Sequence, residues 1–154
     1  MKGWLSMDDE QYASVSLIET PMDLSGRELV CYPYLIVLCK VSMPRMFMKP
    51  RVAWTVITVD LVKGVPLRSN MFPETKEISI KPSALVPAVL SEEEAVQKAR
   101  KLVLRWVMYK FHAFKNPEIE IVKQQAVYKA FFFAEADGKE ILVDSVKGLT
   151  PEDL

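Results

Sequence analysis

Residues 91–117 read SEEEAVQKARKLVLRWVMYKFHAFKNP and hold the strongest secondary-structure signal of the chain. Ser91 and Glu94 are spaced as a capping box, in which the hydroxyl accepts from a first-turn N–H and the carboxylate binds back to the cap. Asn116-Pro117 ends the predicted helix, because the residue before a proline avoids the helical conformation. At about 100° per residue the apolar side chains share one broad face, which is typical of an amphipathic helix. That face consists of Ala95, Val96, Ala99, Leu102, Val103, Trp106 and Tyr109.

Shorter apolar or alternating segments on both sides of this helix predict β-strands. Residues 29–42 are apolar on both alternating faces, which is typical of a strand covered on both sides. Residues 43–51 contain two prolines and are predicted to be a connection. Asp137-Gly138 is the most specific hairpin signal of the chain. The other predicted strands are residues 12–19, 53–60, 76–80, 118–123, 126–136 and 139–144.

One helix among several strands predicts an α+β fold, with an antiparallel sheet of two related β-hairpin units packed on one long amphipathic helix. The chain has 154 residues, half of them hydrophobic, and this size fits a single domain over residues 1–154. Residues 1–11 are expected to be a loose N-terminus. The repeat units are expected at about residues 12–66 and 91–150.

The internal repeat rests on two hexapeptides, VDLVKG at residues 59–64 and VDSVKG at residues 143–148, which agree at five of six positions. In the structural interpretation, Asp60 and Asp144 each end a strand and accept hydrogen bonds from turn N–H groups. The glycine that closes each hexapeptide then adopts a positive φ. A carboxylate-lined site is the alternative interpretation of these segments.

Residues 91–148 resemble the PepSY family in three places. Residues 91–99, SEEEAVQKA, are similar to the family's Ser- or Thr-capped helix with an Ala-rich start. Residues 137–139 are similar to its hairpin tip, and residues 142–144 with Gly148 to its closing Val-Asp-x-x-x-Gly. The resemblance implies a cystatin-like α+β unit, present as two degenerate copies through the repeat. It also implies a non-catalytic module that regulates or inhibits a partner such as a peptidase.

The composition narrows the classes of function. Lys+Arg and Asp+Glu both number 20, so the chain lacks the positive excess that generic nucleic-acid binders carry. Residues 1–10 lack the apolar core of a signal peptide, and the longest apolar run, residues 29–39, is too short to span a bilayer. We therefore expect a soluble, cytoplasmic protein that does not bind nucleic acid.

No motif specifies a catalytic centre, a cofactor or a metal, and we expect a protein that is not an enzyme. His112 is the single histidine, whereas a zinc site needs several converging ligands. A Ser-His-Asp triad stays open, because its order along a sequence is free. Cys31 and Cys39 lie roughly 26 Å apart if residues 29–42 form a strand. A disulfide needs about 6 Å, so both are expected to be buried, reduced thiols.

Residues 43–51, MPRMFMKPR, are too apolar for an ordinary connection and are a candidate contact with a partner. They place Met46, Phe47 and Met48 among three cations, and methionine is common at adaptable binding surfaces. The segment either folds back over its own core or contacts a protein partner or a membrane surface.

A second group of candidate contact residues lies on the helix. Leu104, Met108 and Phe111 form an apolar stripe on the face opposite Ala95, Ala99 and Trp106. Together with the surplus of apolar residues at 43–51, this stripe predicts a homo-oligomer, with a symmetric dimer as the commonest assembly.

These observations predict a non-catalytic binding or regulatory module that acts through protein–protein contacts. The alternative is a protein that binds a small apolar ligand in a pocket between helix and sheet, lined by Trp54, Trp106 and Tyr128. A peripheral membrane protein that uses residues 43–51 is the third interpretation.

Overall fold

The computed structural model describes residues 11–113 and 115–146 and confirms a mixed α+β fold. Within these residues one α-helix, α1 (Glu92–Phe111), lies between five strands and two more, and a short 3-10 helix (Pro82–Ala84) precedes it. The strands are β1 (Ala13–Ile18), β2 (Leu29–Arg45), β3 (Met48–Asp60), β4 (Pro66–Ser69), β5 (Thr75–Ile80), β6 (Glu118–Ala136) and β7 (Lys139–Asp144). The loose N-terminus expected at residues 1–11 falls almost entirely outside the described residues.

The seven strands form one open sheet in the order β4-β3-β2-β6-β1-β5, and β7 pairs with the remaining part of β6. Four of the pairings with a defined register are antiparallel: β1 with β5, β2 with β3, β3 with β4, and β6 with β7. The pairing of β1 with β6, at Leu17 and Tyr128, is parallel. The expectation of a wholly antiparallel sheet is therefore wrong, because two strands distant in sequence can also meet side by side in the same direction.

The chain packs as two compact units. Among the described residues, the first comprises residues 11–33, 74–87 and 127–146, and the second residues 34–73 and 88–126. β2 and β6 contribute to both, so the units do not correspond to separate stretches of sequence. The single-domain organisation stays a prediction.

The core of the second unit forms where α1 packs on one side of β2 and β3. Four small or β-branched helix residues are completely buried there, and the strands contribute side chains from alternate positions. Tyr109, which the helical pattern placed on the broad face, is instead 86% exposed. It lies at the edge of that face, where the contact with the sheet ends. The buried helix residues are Ala95, Ala99, Val103 and Val107.

α1 begins where the sequence predicts, whereas it ends earlier than predicted. The amide of Glu94 donates to Ser91 Oγ over 3.1 Å, and the amide of Ser91 donates to the Glu94 carboxylate over 3.4 Å, which completes the capping box. The helix then ends at His112, four residues before Asn116, because His112 adopts a left-handed conformation with φ of 50°. A left-handed residue ends a helix without a proline.

Residues 43–51 are not a connection but belong to the long hairpin of β2 and β3. Met43 pairs with Arg51 and Arg45 with Met48, so only Met46 and Phe47 lie between the strands. The register shifts between Met43 and Arg45, at the position of Pro44. A proline is tolerated at such an irregularity, because no ladder N–H is needed there.

The turn interpretation of the VDLVKG segment is confirmed. Asp60 Oδ1 accepts from the amides of Val62 and Lys63 over 2.8 and 3.0 Å, and Gly64 has φ of 75°. Asp144 Oδ1 likewise accepts from the Val146 amide over 2.9 Å. Its other oxygen lies 2.5 Å from Lys129 Nζ. Lys147 and Gly148, which complete the second hexapeptide, lie outside the described residues.

Gly64→Ala is expected to lower the free energy of unfolding by about 1 kcal/mol or more. The positive φ disfavours any side chain, and an added Cβ would lie 3.2 Å from Leu90 Cδ2 and 3.1 Å from Lys98 Cε. Gly26→Ala is the matched control: its φ is 72°, but no atom lies within 4 Å of the added Cβ, so its loss should be smaller. Urea unfolding measures both, and a Gly64→Ala variant as stable as the wild type would contradict this role of the turn.

Candidate interaction surfaces

Residues 44–51, which we call the arm, lie beyond the buried part of the β2–β3 hairpin. Met43 is the last buried residue of β2, and from Arg45 to Val52 every residue is exposed. Phe47 at the tip is 101% exposed, and its neighbours Met46 and Met48 are 65% and 61% exposed. The interpretation in which this segment folds back over its own core is therefore wrong.

The arm carries three cations and no acidic residue. Arg45 Nε donates to the carbonyl of Lys49 over 2.9 Å, and the Arg51 guanidinium lies 4.5 Å from the centre of the Phe111 ring. Among the described residues, no carboxylate forms a salt bridge with Arg45, Lys49 or Arg51. The positive charge of the arm is thus not neutralised by a described part of the chain.

A cleft of about 360 Å³ lies between the base of the arm and the end of α1. Its apolar walls bring Met46 and Met48 of the arm together with Phe111 of the helix, so the structure unites members of both predicted contact groups. The lining residues are Met43, Pro44, Arg45, Met46, Met48, Arg51, Phe111, His112 and Ala113.

The helical stripe of Leu104, Met108 and Phe111 is less exposed than its pattern indicates. Leu104 is 37% and Met108 39% exposed, and neither lines the cleft. Phe111 is half-buried against the core and meets Trp106 edge to face, with ring centres 5.6 Å apart. Leu104 and Met108 are therefore the more exposed members of the stripe, while Phe111 is accessible where it lines the cleft.

The side of the second unit's sheet that faces away from α1, which we call the outer sheet face, is the surface that sequence reasoning missed. Ala53 packs against the helix-side core, so its strand neighbours Val52 and Trp54 point to the other side. Trp54 is 52% exposed, with Lys40 Nζ 5.8 Å from its ring centre. The exposed apolar residues of the outer sheet face are Val52, Trp54, Leu67 and Val122.

The pocket proposed between helix and sheet would need Trp54 and Trp106 on the same side. Trp106 packs on the helix-side core and carries the Arg68 guanidinium 4.5 Å from its ring centre, whereas Trp54 belongs to the outer sheet face. The space between α1 and β2–β3 is filled by side chains with no exposed surface, such as Leu35 and Val103. The two tryptophans therefore do not line one cavity.

The first unit has a larger open cleft, of about 590 Å³. Arg27, Glu28 and Lys81 contribute charges of both signs to a wall that is otherwise formed by β5, the 3-10 helix and the start of β2. The hydroxyl-bearing residues Tyr12, Ser79 and Ser83 also line this cleft, so its polar groups are of mixed kind and indicate no single class of ligand.

The described residues contain no group of three or more His, Cys, Asp or Glu side chains that could hold a metal ion. The single histidine, His112, is an exposed helix cap. No helix in the described ranges is long and apolar enough to cross a membrane.

Both cysteines are free and completely buried, as the sequence indicates. Burial raises the pKa of the Cys31 thiol and of the Cys39 thiol to about 11, because the thiolate loses its hydration inside the core. The Arg100 guanidinium offsets a small part of this effect at Cys39.

Labelling of the two thiols by a maleimide at about pH 8 is expected to be at least two orders of magnitude slower in the native protein than in denaturant. Reaction requires both exposure and the thiolate form, and the native core disfavours each. Mass spectrometry of timed samples measures the extent of labelling. Rapid native labelling at both positions would contradict burial.

No protein-family model, curated protein or solved structure matches this chain.

Proposed function

We propose that the chain is a non-catalytic binding or regulatory module that acts through protein–protein contacts and self-associates as a symmetric dimer. The observation that carries the proposal is the outer sheet face, on which Trp54 is half-exposed and Val52, Leu67 and Val122 are also accessible. Aromatic residues that remain accessible on a sheet are typical of binding surfaces. Two free, buried thiols support a reducing compartment such as the cytoplasm.

The free energy of burying apolar side chains favours a symmetric contact at the outer sheet face. Burying one large apolar side chain completely contributes roughly 1.5–3 kcal/mol, and half-exposed residues contribute a share of that amount. In a two-fold dimer each contact occurs twice, which helps to offset the several kcal/mol that association costs. Zero net charge adds little long-range repulsion between copies. β4, at the edge of the sheet, has only four residues and includes Pro66 and Arg68, so pairing of copies through this edge is disfavoured.

The two related hairpin units and the PepSY resemblance belong to the same proposal. Support comes from the matching turns, since Asp60 and Asp144 both end a hairpin strand and accept from an amide two residues later. The capping box of α1 precedes the second hairpin, in the order that the resemblance implies. A regulatory module of this type needs a contact surface and no catalytic group.

Sedimentation equilibrium at micromolar concentration tests the proposal. A mass twice that of the chain, decreasing on dilution, is the expected result. A monomer mass over the whole concentration range contradicts self-association. The helix stripe of Leu104 and Met108 is the second surface through which copies could meet, and variants on the two surfaces distinguish them.

A further inference from the structure

We propose that the arm binds anionic membrane surfaces, with Met46, Phe47 and Met48 inserted at the boundary between headgroups and acyl chains and Arg45, Lys49 and Arg51 held at the headgroups. This inference goes beyond the proposed function and uses residues outside the outer sheet face. It rests on three features of the arm: its strained tip, its distribution of charge and the cleft beside it.

Phe47 occupies a turn position whose left-handed backbone conformation favours glycine, asparagine or aspartate. Phe47 has φ of 58°, a left-handed conformation that is costly for a large side chain. The tip of the β6–β7 hairpin also has positive φ values, of 52° and 75°, but there the residues are Asp137 and Gly138, which adopt this conformation at lower cost. Phe47 makes no compensating contact with the described residues, because it is fully exposed. Packing within the described part of the chain therefore does not explain a large apolar side chain at this position.

The order of residues along the arm matches the order of layers in an anionic bilayer. The apolar side chains occupy the tip, and the three cations lie roughly 7 to 13 Å behind Phe47 at about 3.3 Å per residue. Apolar side chains of peripheral proteins reach roughly 5–10 Å into the interface. Insertion of the tip would thus bring the cations to the level of the lipid phosphates and carboxylates, and each contributes about fivefold in affinity there.

The cleft between the base of the arm and the end of α1 fits an apolar chain better than a headgroup. Its walls include Met43, Pro44 and Phe111, whereas the end of α1 carries partial negative charge that disfavours an anion. Arg45 and Arg51 border the same cleft on the arm side. A lipid could therefore place its acyl chain along the cleft and its anionic group against the arginines.

A membrane complements the arm better than a folded protein does. Phe47 is open to solvent on all sides at the end of a two-residue tip, so burial requires a medium that surrounds it. A bilayer interface provides such a medium in any orientation around the arm, together with a dense negative surface. A protein partner would need a deep apolar pocket with an acidic rim.

Co-sedimentation of the full chain with vesicles tests the proposal. Phosphatidylcholine vesicles are compared with vesicles in which about one lipid in three is phosphatidylserine. Binding is expected with the anionic vesicles, and it should weaken as salt screens the charges. Phe47→Gly relieves the strain at the tip, so this variant should be at least as stable as the wild type and yet bind at least tenfold more weakly.

Paired charge variants supply the control. Arg45→Gln/Lys49→Gln should weaken binding about 25-fold, whereas Lys76→Gln/Lys139→Gln removes the same charge from exposed sites outside the arm and should have little effect. Equal binding to both vesicle types, or unchanged binding by Phe47→Gly, overturns the proposal. A wild-type chain that binds neither vesicle also overturns it, and leaves an acidic protein pocket as the complement of the arm. The sedimentation mass in the absence of lipid reports on self-association separately.

Discussion

Trp54→Glu is expected to shift the proposed dimer to monomer, weakening self-association by about 100-fold or more. Trp54 is the largest exposed apolar side chain of the outer sheet face. In a two-fold dimer the substitution would remove this side chain from both copies. The glutamate would also place two carboxylates in a contact that excludes water, which is unfavourable without a partner. Because Trp54 is already half-exposed, the monomer should keep its fold.

Met108→Glu and Tyr109→Glu complete this test on the helix. Met108 is 39% exposed in the stripe, and Tyr109 is 86% exposed beside it, so both variants should fold. Sedimentation of all three variants, with circular dichroism to verify the fold, locates the interface. A dimer that survives Trp54→Glu but dissociates in Met108→Glu would move the contact from the outer sheet face to the helix stripe. A dimer that only Tyr109→Glu disrupts would contradict both assignments.

Leu35→Ala is expected to lower the free energy of unfolding by about 2–5 kcal/mol. Leu35 has no exposed surface and packs in the core between β2, β3 and α1. Removing three carbon atoms there reduces the apolar surface that the folded state buries and leaves a cavity that the neighbouring strands cannot fill. A loss of this size is a large part of the stability of a chain of this length.

Leu67→Ala is the matched control, because it makes the same chemical change on β4 at a site that is 59% exposed. Its effect on the monomer should stay below about 1 kcal/mol. Denaturant unfolding at a concentration where the chain is monomeric measures both variants. Equal losses for Leu35→Ala and Leu67→Ala would contradict the assigned core.

The elements that the sequence predicted well are those that depend on neighbouring residues. The capping box needs only Ser91 and Glu94, and the β6–β7 hairpin needs only the turn chemistry of Asp137-Gly138. Both therefore follow from local patterns. The turn at Asp60 is of the same kind, since its carboxylate binds amides two and three residues later.

The features that the sequence did not predict depend on partners distant in the chain. β4 is a strand because it pairs with β3, although Pro66–Ser69 has little strand character of its own. Pro44 and Pro50 indicate a loop, but the ladder between β2 and β3 extends past them. The exposure of Trp54 likewise depends on which side of the sheet α1 covers, and no local pattern contains that information.

The candidate contact residues also divide into those whose environment follows from the local sequence and those whose environment depends on distant parts of the chain. The pattern left open whether Met46, Phe47 and Met48 fold back over the core, and the structure shows all three exposed. It could not show that Phe111, one turn beyond Met108, is half-buried, with its ring edge to face with Trp106 and close to the Arg51 guanidinium. Those contacts come from β3 and from the edge of the helix, and they appear only in the folded chain.

The complete burial of Cys31 and Cys39 makes the wild-type chain a ready background for spectroscopic probes. A cysteine introduced at position 50 or 76, both of which are exposed, would be the one thiol that reacts quickly, so neither native cysteine has to be replaced. A nitroxide at position 76 would report the distance between two copies of the proposed dimer without replacing a residue of the outer sheet face. The same label at position 50 would report the depth of the arm in a bilayer through its collisions with oxygen and would leave Phe47 in place.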